Sequence, residues 1–261
     1  MKLSKQKISV YTCLAFLLMF SNQIMAQNSN DLEGWSSVQL DIEATKKMSF
    51  SISEHLRYRN DITTVSTYFT QIETGYEIAK NFEIGGGVRF IKKNDDVGKK
   101  QGVESHFRYQ LDASFKHDIK KIGVSYRLRY QNKNELGFSE DEGDIAKEQL
   151  RMLFGVDYKL KPLSVLLKLK GEFFSTFSDG ADGDKIDRRR FTLSASRKFK
   201  GFGEIAVFYR TQTDLNVLIK KERFDVSKSI LGFKYVYSLN LRKTKKSSDN
   251  YKLLFLSFMS I

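Results

Sequence analysis

The sequence predicts an all-β fold: an antiparallel up-and-down transmembrane β-barrel of about 10 strands (10–12), preceded by a cleaved signal peptide. Three observations carry the prediction. Apolar and polar residues alternate with a strict period of two from residue 48 to residue 239. The links between the alternating stretches are short and long by turns. Beyond the first two dozen residues no segment is apolar enough to cross a bilayer as a helix, which takes about 20 consecutive apolar residues.

The N-terminus reads as a separate segment. Lys2, Lys5 and Lys7 precede an apolar run from Ile8 to Phe20, and Ala26 supplies a small residue before a cut. That order of basic, apolar and small-residue regions is the pattern of a secretory signal peptide, here residues 1–26. Cys13 lies in the apolar run without the small residues that would precede a lipid attachment site. Cleavage would remove the only cysteine and three of the 44 basic residues, leaving a mature charge of +10, no disulfides and no thiol chemistry.

Residues 27–45 hold "GWSSVQLDI" (34–42), a further strand candidate in which Trp35 is expected to anchor at a membrane interface. The barrel proper is expected over 46–239. In a strand successive side chains point to opposite faces, so a period of two records two different environments. "MSFSISEHLRYR" opposes Met48, Phe50, Ile52, Leu56 and Tyr58 to serines, His55, Arg57 and Arg59. "STYFTQIETGYEI", "NFEIGGGVRF" and "HFRYQLDASFKH" follow the same rule. In "IGVSYRLRYQNK", Val124, Tyr126, Leu128 and Tyr130 oppose Ser125, Arg127, Arg129 and Gln131. "QLRMLFGVDYKL", "PLSVLLKLKGEFF", "RRFTLSASRK", "GEIAVFYRTQ" and "SILGFKYVYSL" complete the set of ten.

The links sort into two classes. Short ones at "AKN", "HDIKK", "KLKP" and "KFKGFG" alternate with longer polar ones at "KKNDDVGKKQG", "NKNELGFSEDEGDIAK", "SDGADGDKID" and "DLNVLIKKERFD". Short turns on one rim and long loops on the other are the habit of an outer-membrane barrel, and a soluble sandwich has no reason for it. Pro162, the sole proline, is expected to begin a strand just after a short turn, where its missing N–H does least harm. Because ten strands from Met48 already place both ends on one rim, an eleventh strand at 34–42 would require a twelfth, with "YKLLFLSFM" in the tail 240–261 as the candidate.

The alternation has a physical reading. Hydrocarbon offers no partners to backbone N–H and C=O groups, so strands cross it only as a closed ring. Such a ring turns apolar residues to lipid and polar residues to its interior, with aromatic girdles at both interfaces. Tyr58, Tyr130, Tyr158 and Tyr209 suit the girdles. The interior candidates are then Arg57, Arg89, Arg108, Arg127, Arg129, Arg151, Glu172, Arg190, Glu204 and Arg210, in company with His55, Arg59, Glu73, Asp112, Asp157, Lys168 and Lys170. A small barrel fills its interior with side chains. Glu172 and Glu204 are therefore expected to pair with the arginines in a neutralising plug, and a narrow anion-favouring pore is the alternative.

Other chemistries find less support. The basic residues are spread along strands and do not cluster, and export would remove a nucleic-acid partner. His55, His106 and His117 have no accompanying nucleophile motif such as G-x-S-x-G, so no catalytic residue is assigned. A lipid- or peptide-modifying barrel enzyme stays as the functional alternative, and a soluble periplasmic barrel with its faces reversed as the structural one. Asp179, Asp182, Asp184 and Asp187 depart from the calcium-loop spacing, "SEDEGD" (139–144) reads as a solvated loop, and no metal or cofactor is expected.

Over positions 34 to 239 the chain resembles a known family. Trp35, the "RLRYQNK" strand, "LRMLFGVDYKL" followed by "KGEFFSTF", then "DRRRFTLSASRKF" and "GEIAVFYRTQ" occur in the order seen in the outer-membrane barrel family catalogued as domain of unknown function 2490. The resemblance implies a Gram-negative, Bacteroidota-type source, a multi-pass location in the cell outer membrane and no established activity. "GFKYVY", with Gly232, Tyr235 and Tyr237, also resembles the closing-strand signal read by the barrel-assembly machinery. Outer-membrane lipid, lipopolysaccharide and that machinery are thus the expected partners of a monomer.

Overall fold

The computed structural model describes residues 31–95, 102–137, 146–177, 186–219 and 222–241. The signal segment 1–26, the stretch 139–144, Asp179, Asp182, Asp184 and the strand candidate at 251–259 lie outside the described residues. The described chain is a single closed barrel of eleven strands. They are β1 (Leu32–Glu43), β2 (Met48–Arg59), β3 (Thr64–Ala79), β4 (Phe82–Asp95), β5 (Gly102–Ile119), β6 (Ile122–Glu135), β7 (Lys147–Leu160), β8 (Val165–Thr176), β9 (Ile186–Phe199), β10 (Gly203–Ile219) and β11 (Glu222–Asn240).

Each strand from β1 to β11 pairs antiparallel with the next in sequence. The segment "GWSSVQLDI" is part of β1, and the barrel closes without a twelfth strand among the described residues. An odd meander brings its first and last strands together running the same way, so β1 pairs parallel with β11, from Leu32↔Ser229 to Glu43↔Asn240. The expectation that an eleventh strand demands a twelfth fails here because a parallel ladder also satisfies every facing N–H and C=O. Parallel pairing is slightly weaker per residue, and side chains reinforce this seam at both ends. Lys228 Nζ donates to Glu33 Oε1 at 2.6 Å, and Asn240 Nδ2 donates to Glu43 Oε2 at 2.5 Å.

Two further sequence expectations change. "DLNVLIKKERFD" is not a free loop: β10 continues to Ile219 and β11 begins at Glu222, with a register shift between Asp214 and Val217. Alternation weakens in that stretch, which hid the strand. Pro162 sits inside a 3-10 turn, Lys161–Leu163, and β8 starts only at Val165. Its fixed φ and absent N–H suit the second residue of such a turn, whose N–H would find no partner within it.

The wall has two clearly different faces. Tyr126 and Leu128 are 40% and 48% exposed on the outside, whereas Arg129, the residue after Leu128, is 5% exposed on the inside. At the seam, Gly232 has no side chain to occupy the space beside Trp35, its partner on β1, and the Phe208 ring lies there instead. A Cβ at position 232 would fall within that ring. Gly232→Ala is therefore expected to cost about 1–3 kcal/mol through overpacking. Urea unfolding of the barrel in lipid vesicles reads this directly, and a variant as stable as the parent would show that Phe208 moves aside freely.

Candidate functional site: the charged interior cavity

The inward parity of the strands encloses a cavity of about 660 Å³. Arg57 (β2), Arg89 (β4), Arg108 (β5), Arg127 and Arg129 (β6) and Arg151 (β7) line it, as do Glu172 (β8), Arg190 (β9), and Glu204 and Arg210 (β10). His55, His106, Glu73, Lys168 and Lys170 face the same space. Arg59 does not line it; its Nη2 donates to the Asn94 carbonyl at 3.2 Å. Asp112 lies in the wall against Arg129, and Asp157 lies beside Gly123 on the neighbouring strand.

Two ionic clusters span the middle of the barrel. In the first, Arg129 grips Asp112 with two bonds, Nε to Oδ1 at 2.6 Å and Nη2 to Oδ2 at 2.9 Å. The same guanidinium donates to Gln110 Oε1 at 2.9 Å and Glu73 Oε1 at 3.1 Å. Arg108 shares Gln110 at 2.7 Å, and Arg89 donates to Gln71 Oε1 at 2.7 Å through Nε. The planar five-donor fork of arginine fits such bidentate and shared contacts.

The second cluster centres on Glu172, which is 7% exposed. Its Oε1 accepts from Arg151 Nη2 at 2.7 Å and Arg127 Nη2 at 3.1 Å, and Oε2 stands 3.6 Å from Arg190 Nη1. One carboxylate thus serves three guanidinium groups. The Nε atoms of Arg108, Arg127 and Arg151 are buried without a partner, so cation donors exceed the acceptors offered to them. Glu204 faces the cavity but forms no ion pair with an arginine among the described residues, contrary to the pairing expected from sequence, because its strand position lies toward the tight-turn rim.

A profile-based match to the family described as protein of unknown function (DUF2490) covers residues 32–217. The chain belongs to this family. The match runs from β1 nearly to the end of β10, so the DUF2490 region and the cavity-bearing wall largely coincide. A search of curated proteins found no match.

This DUF2490 barrel also holds interior residues that the sequence reading left out. Trp35 does not anchor at an interface: it points inward, with Arg57 3.7 Å and Arg210 4.8 Å from its ring centroid, and Nε1 donates to Glu33 at 2.8 Å. Phe69 carries Arg89 at 3.9 Å and Arg57 at 4.8 Å, while Phe174 carries Arg190 at 4.5 Å and Arg151 at 4.6 Å. Guanidinium groups are drawn to the negative faces of aromatic rings. Trp35 and Phe69 therefore hold Arg57, Arg89 and Arg210, which have no ion pair among the described residues, while Phe174 backs Arg151 and Arg190, which share Glu172. The signal was present, because each of these residues falls on the polar parity of its strand.

The imidazoles occupy different settings. His55 Nε2 lies 3.0 Å from Ser53 Oγ, and its ring stacks on Phe69 at 4.3 Å. Among the described residues no carboxylate contacts that ring, so the third group that would orient a base is missing. His106 Nε2 lies 3.1 Å from Glu104 Oε2, whereas His117 packs parallel to Tyr126 on the outer parity. Asp187 accepts from Thr176 on β8. Among the described residues no group of three His, Cys, Asp or Glu side chains is placed to hold a metal.

Proposed function

We propose that this protein is an outer-membrane β-barrel whose interior is closed at mid-height by its arginine, carboxylate and aromatic clusters. Its role is structural, and any permeation through it is slight and anion-favouring. The observation that carries this reading is the segregation of the wall: apolar side chains outside on every strand, cations enclosed. Tyr76, Leu111, Phe154, Leu193 and Phe233, from five different strands, are all more than 40% exposed. In water such a continuous apolar surface would drive aggregation, whereas in hydrocarbon it is the required face.

The sorting of links supports the same assignment. Tight links join β3 to β4 and β5 to β6 on one rim, while the wider links after β4, β6 and β8 lie on the other, together with the short links after β2 and β10. Export by the N-terminal segment, insertion by the barrel-assembly machinery, contact with lipid and lipopolysaccharide, and a monomeric state complete the proposal. We assign no catalytic step, since the Ser53–His55 contact lacks an orienting acid.

Electrophoretic migration tests the membrane barrel: unheated protein in detergent should run faster than boiled protein, and identical mobility would overturn the reading. Planar-bilayer recording tests the closed interior. The wild type should give no steady porin-like conductance, and rare small events should favour anions. Arg127→Glu should shift any reversal potential toward cations. Large stable openings of the wild type would refute the plug.

A further inference from the structure

The arginines of the middle clusters are engaged, but the lysines nearer the tight-turn rim are not. Lys168 and Lys170 on β8 and Lys234 on β11 all face the cavity, and none has a hydrogen bond or ion pair among the described residues. The two strands between them carry small side chains on this face. In register, Lys170 adjoins Thr192 and then Arg210, Lys168 adjoins Ser194, and Ser196 adjoins Ala206 and then Lys234. Arg210 Nε donates to Thr192 Oγ1 at 2.9 Å, while the Ser194 and Ser196 hydroxyls carry no hydrogen bond among the described residues.

Asp41, Glu73 and Glu204 attract Lys234 through space, but none forms an ion pair with it among the described residues. Asp157, the register partner of Lys168, has its carboxylate packed beside Gly123. Glu204 lies one residue pair away from Lys234 and outside ion-pair distance. Three ammonium groups and one guanidinium thus line the cavity together with the Ser194 and Ser196 hydroxyls.

The geometry points to a binding site for a small phosphate-type oxyanion, held by Lys168, Lys170 and Lys234 together with Ser194 and Ser196, with Arg210 at its edge. Lysine is a compact point charge with three rotatable donors and binds phosphate in that way, while the arginine fork fits carboxylate and phosphate alike. In this barrel the forks are largely committed to Asp112, Glu172 and the glutamines, and the lysines stand free. The site needs the closed barrel described above but does not depend on whether solute passes through it.

Calorimetric titration of the full-length folded protein in detergent with inorganic pyrophosphate, at constant ionic strength, tests the site. Saturable binding is expected, together with a change in emission from Trp35, the only tryptophan, which shares Arg210 with the site. Lys168→Gln/Lys170→Gln and Lys234→Gln should each weaken binding about tenfold or more, as loss of charge-assisted donors does, with heat-modifiable migration unchanged. These glutamines stay polar, are shorter by one atom and relieve repulsion, so folding is preserved. Absence of saturable heat, equal affinity in the variants, or citrate binding as tightly as pyrophosphate would each overturn the assignment. Failure of the migration test, by contrast, would strike the barrel reading itself.

Discussion

Glu172→Gln is expected to destabilise the folded barrel by about 3–5 kcal/mol, the usual result of removing one partner from a buried ionic cluster. Glu172 is the acceptor shared by Arg127, Arg151 and Arg190. The amide keeps the shape but leaves three guanidinium groups facing one another in an enclosed space. Phe174 still offers its ring to Arg151 and Arg190, which softens the loss without supplying a charge. Asp112→Asn should cost less, because Arg129 keeps Glu73 and Gln110. Adding Arg151→Gln to Glu172→Gln should recover part of the stability by removing an unpaired cation. Equilibrium urea unfolding in lipid vesicles measures all three. A Glu172→Gln barrel as stable as the parent would mean that the cluster is held by packing alone.

Leu128→Arg is expected to cost about 2–4 kcal/mol when the barrel is folded into a bilayer, as a cation near the midplane on the lipid face does. Leu128 is 48% exposed and lies opposite Met152 on β7 and Ala113 on β5, well inside both ladders. An arginine there has no acid beside it, Glu148 lying two outward positions further along β7 and already bonded to Tyr130, and must snorkel to an interface or pull water into the hydrocarbon. One residue along the chain, Arg129 is accommodated because its side chain points the other way, into Asp112 and Glu73. The same variant should be much less affected in detergent, where the micelle deforms. If Leu128→Arg folds into vesicles with unchanged stability, the apolar wall is not facing hydrocarbon.

Much of this architecture is legible in the chain because a period of two is a local property. Each residue of "IGVSYRLRYQNK" is assigned to a face by counting, and the structure keeps that assignment from Val124 to Gln131. Trp35 reads as an interface anchor, and Phe69 and Phe174 go unremarked, for the opposite reason. A single aromatic on a polar parity looks like noise until neighbouring strands bring Arg57, Arg89 or Arg190 over its ring. The extension of β10 and β11 beyond Asp214 was hidden by a register shift, which breaks the alternation that counting relies on.

From the residues alone came the strand character, the inward and outward faces, the enclosed set of cations and the sorting of links, all consequences of side-chain order within single strands. Folding in three dimensions had to supply the rest: that 34–42 closes the ring through a parallel seam, that Glu172 answers three arginines from three other strands, and that Lys168, Lys170 and Lys234 have no hydrogen bond or ion pair among the described residues. These depend on which strands become neighbours and at what register. A local pattern can orient a side chain but does not name the residue that it will meet.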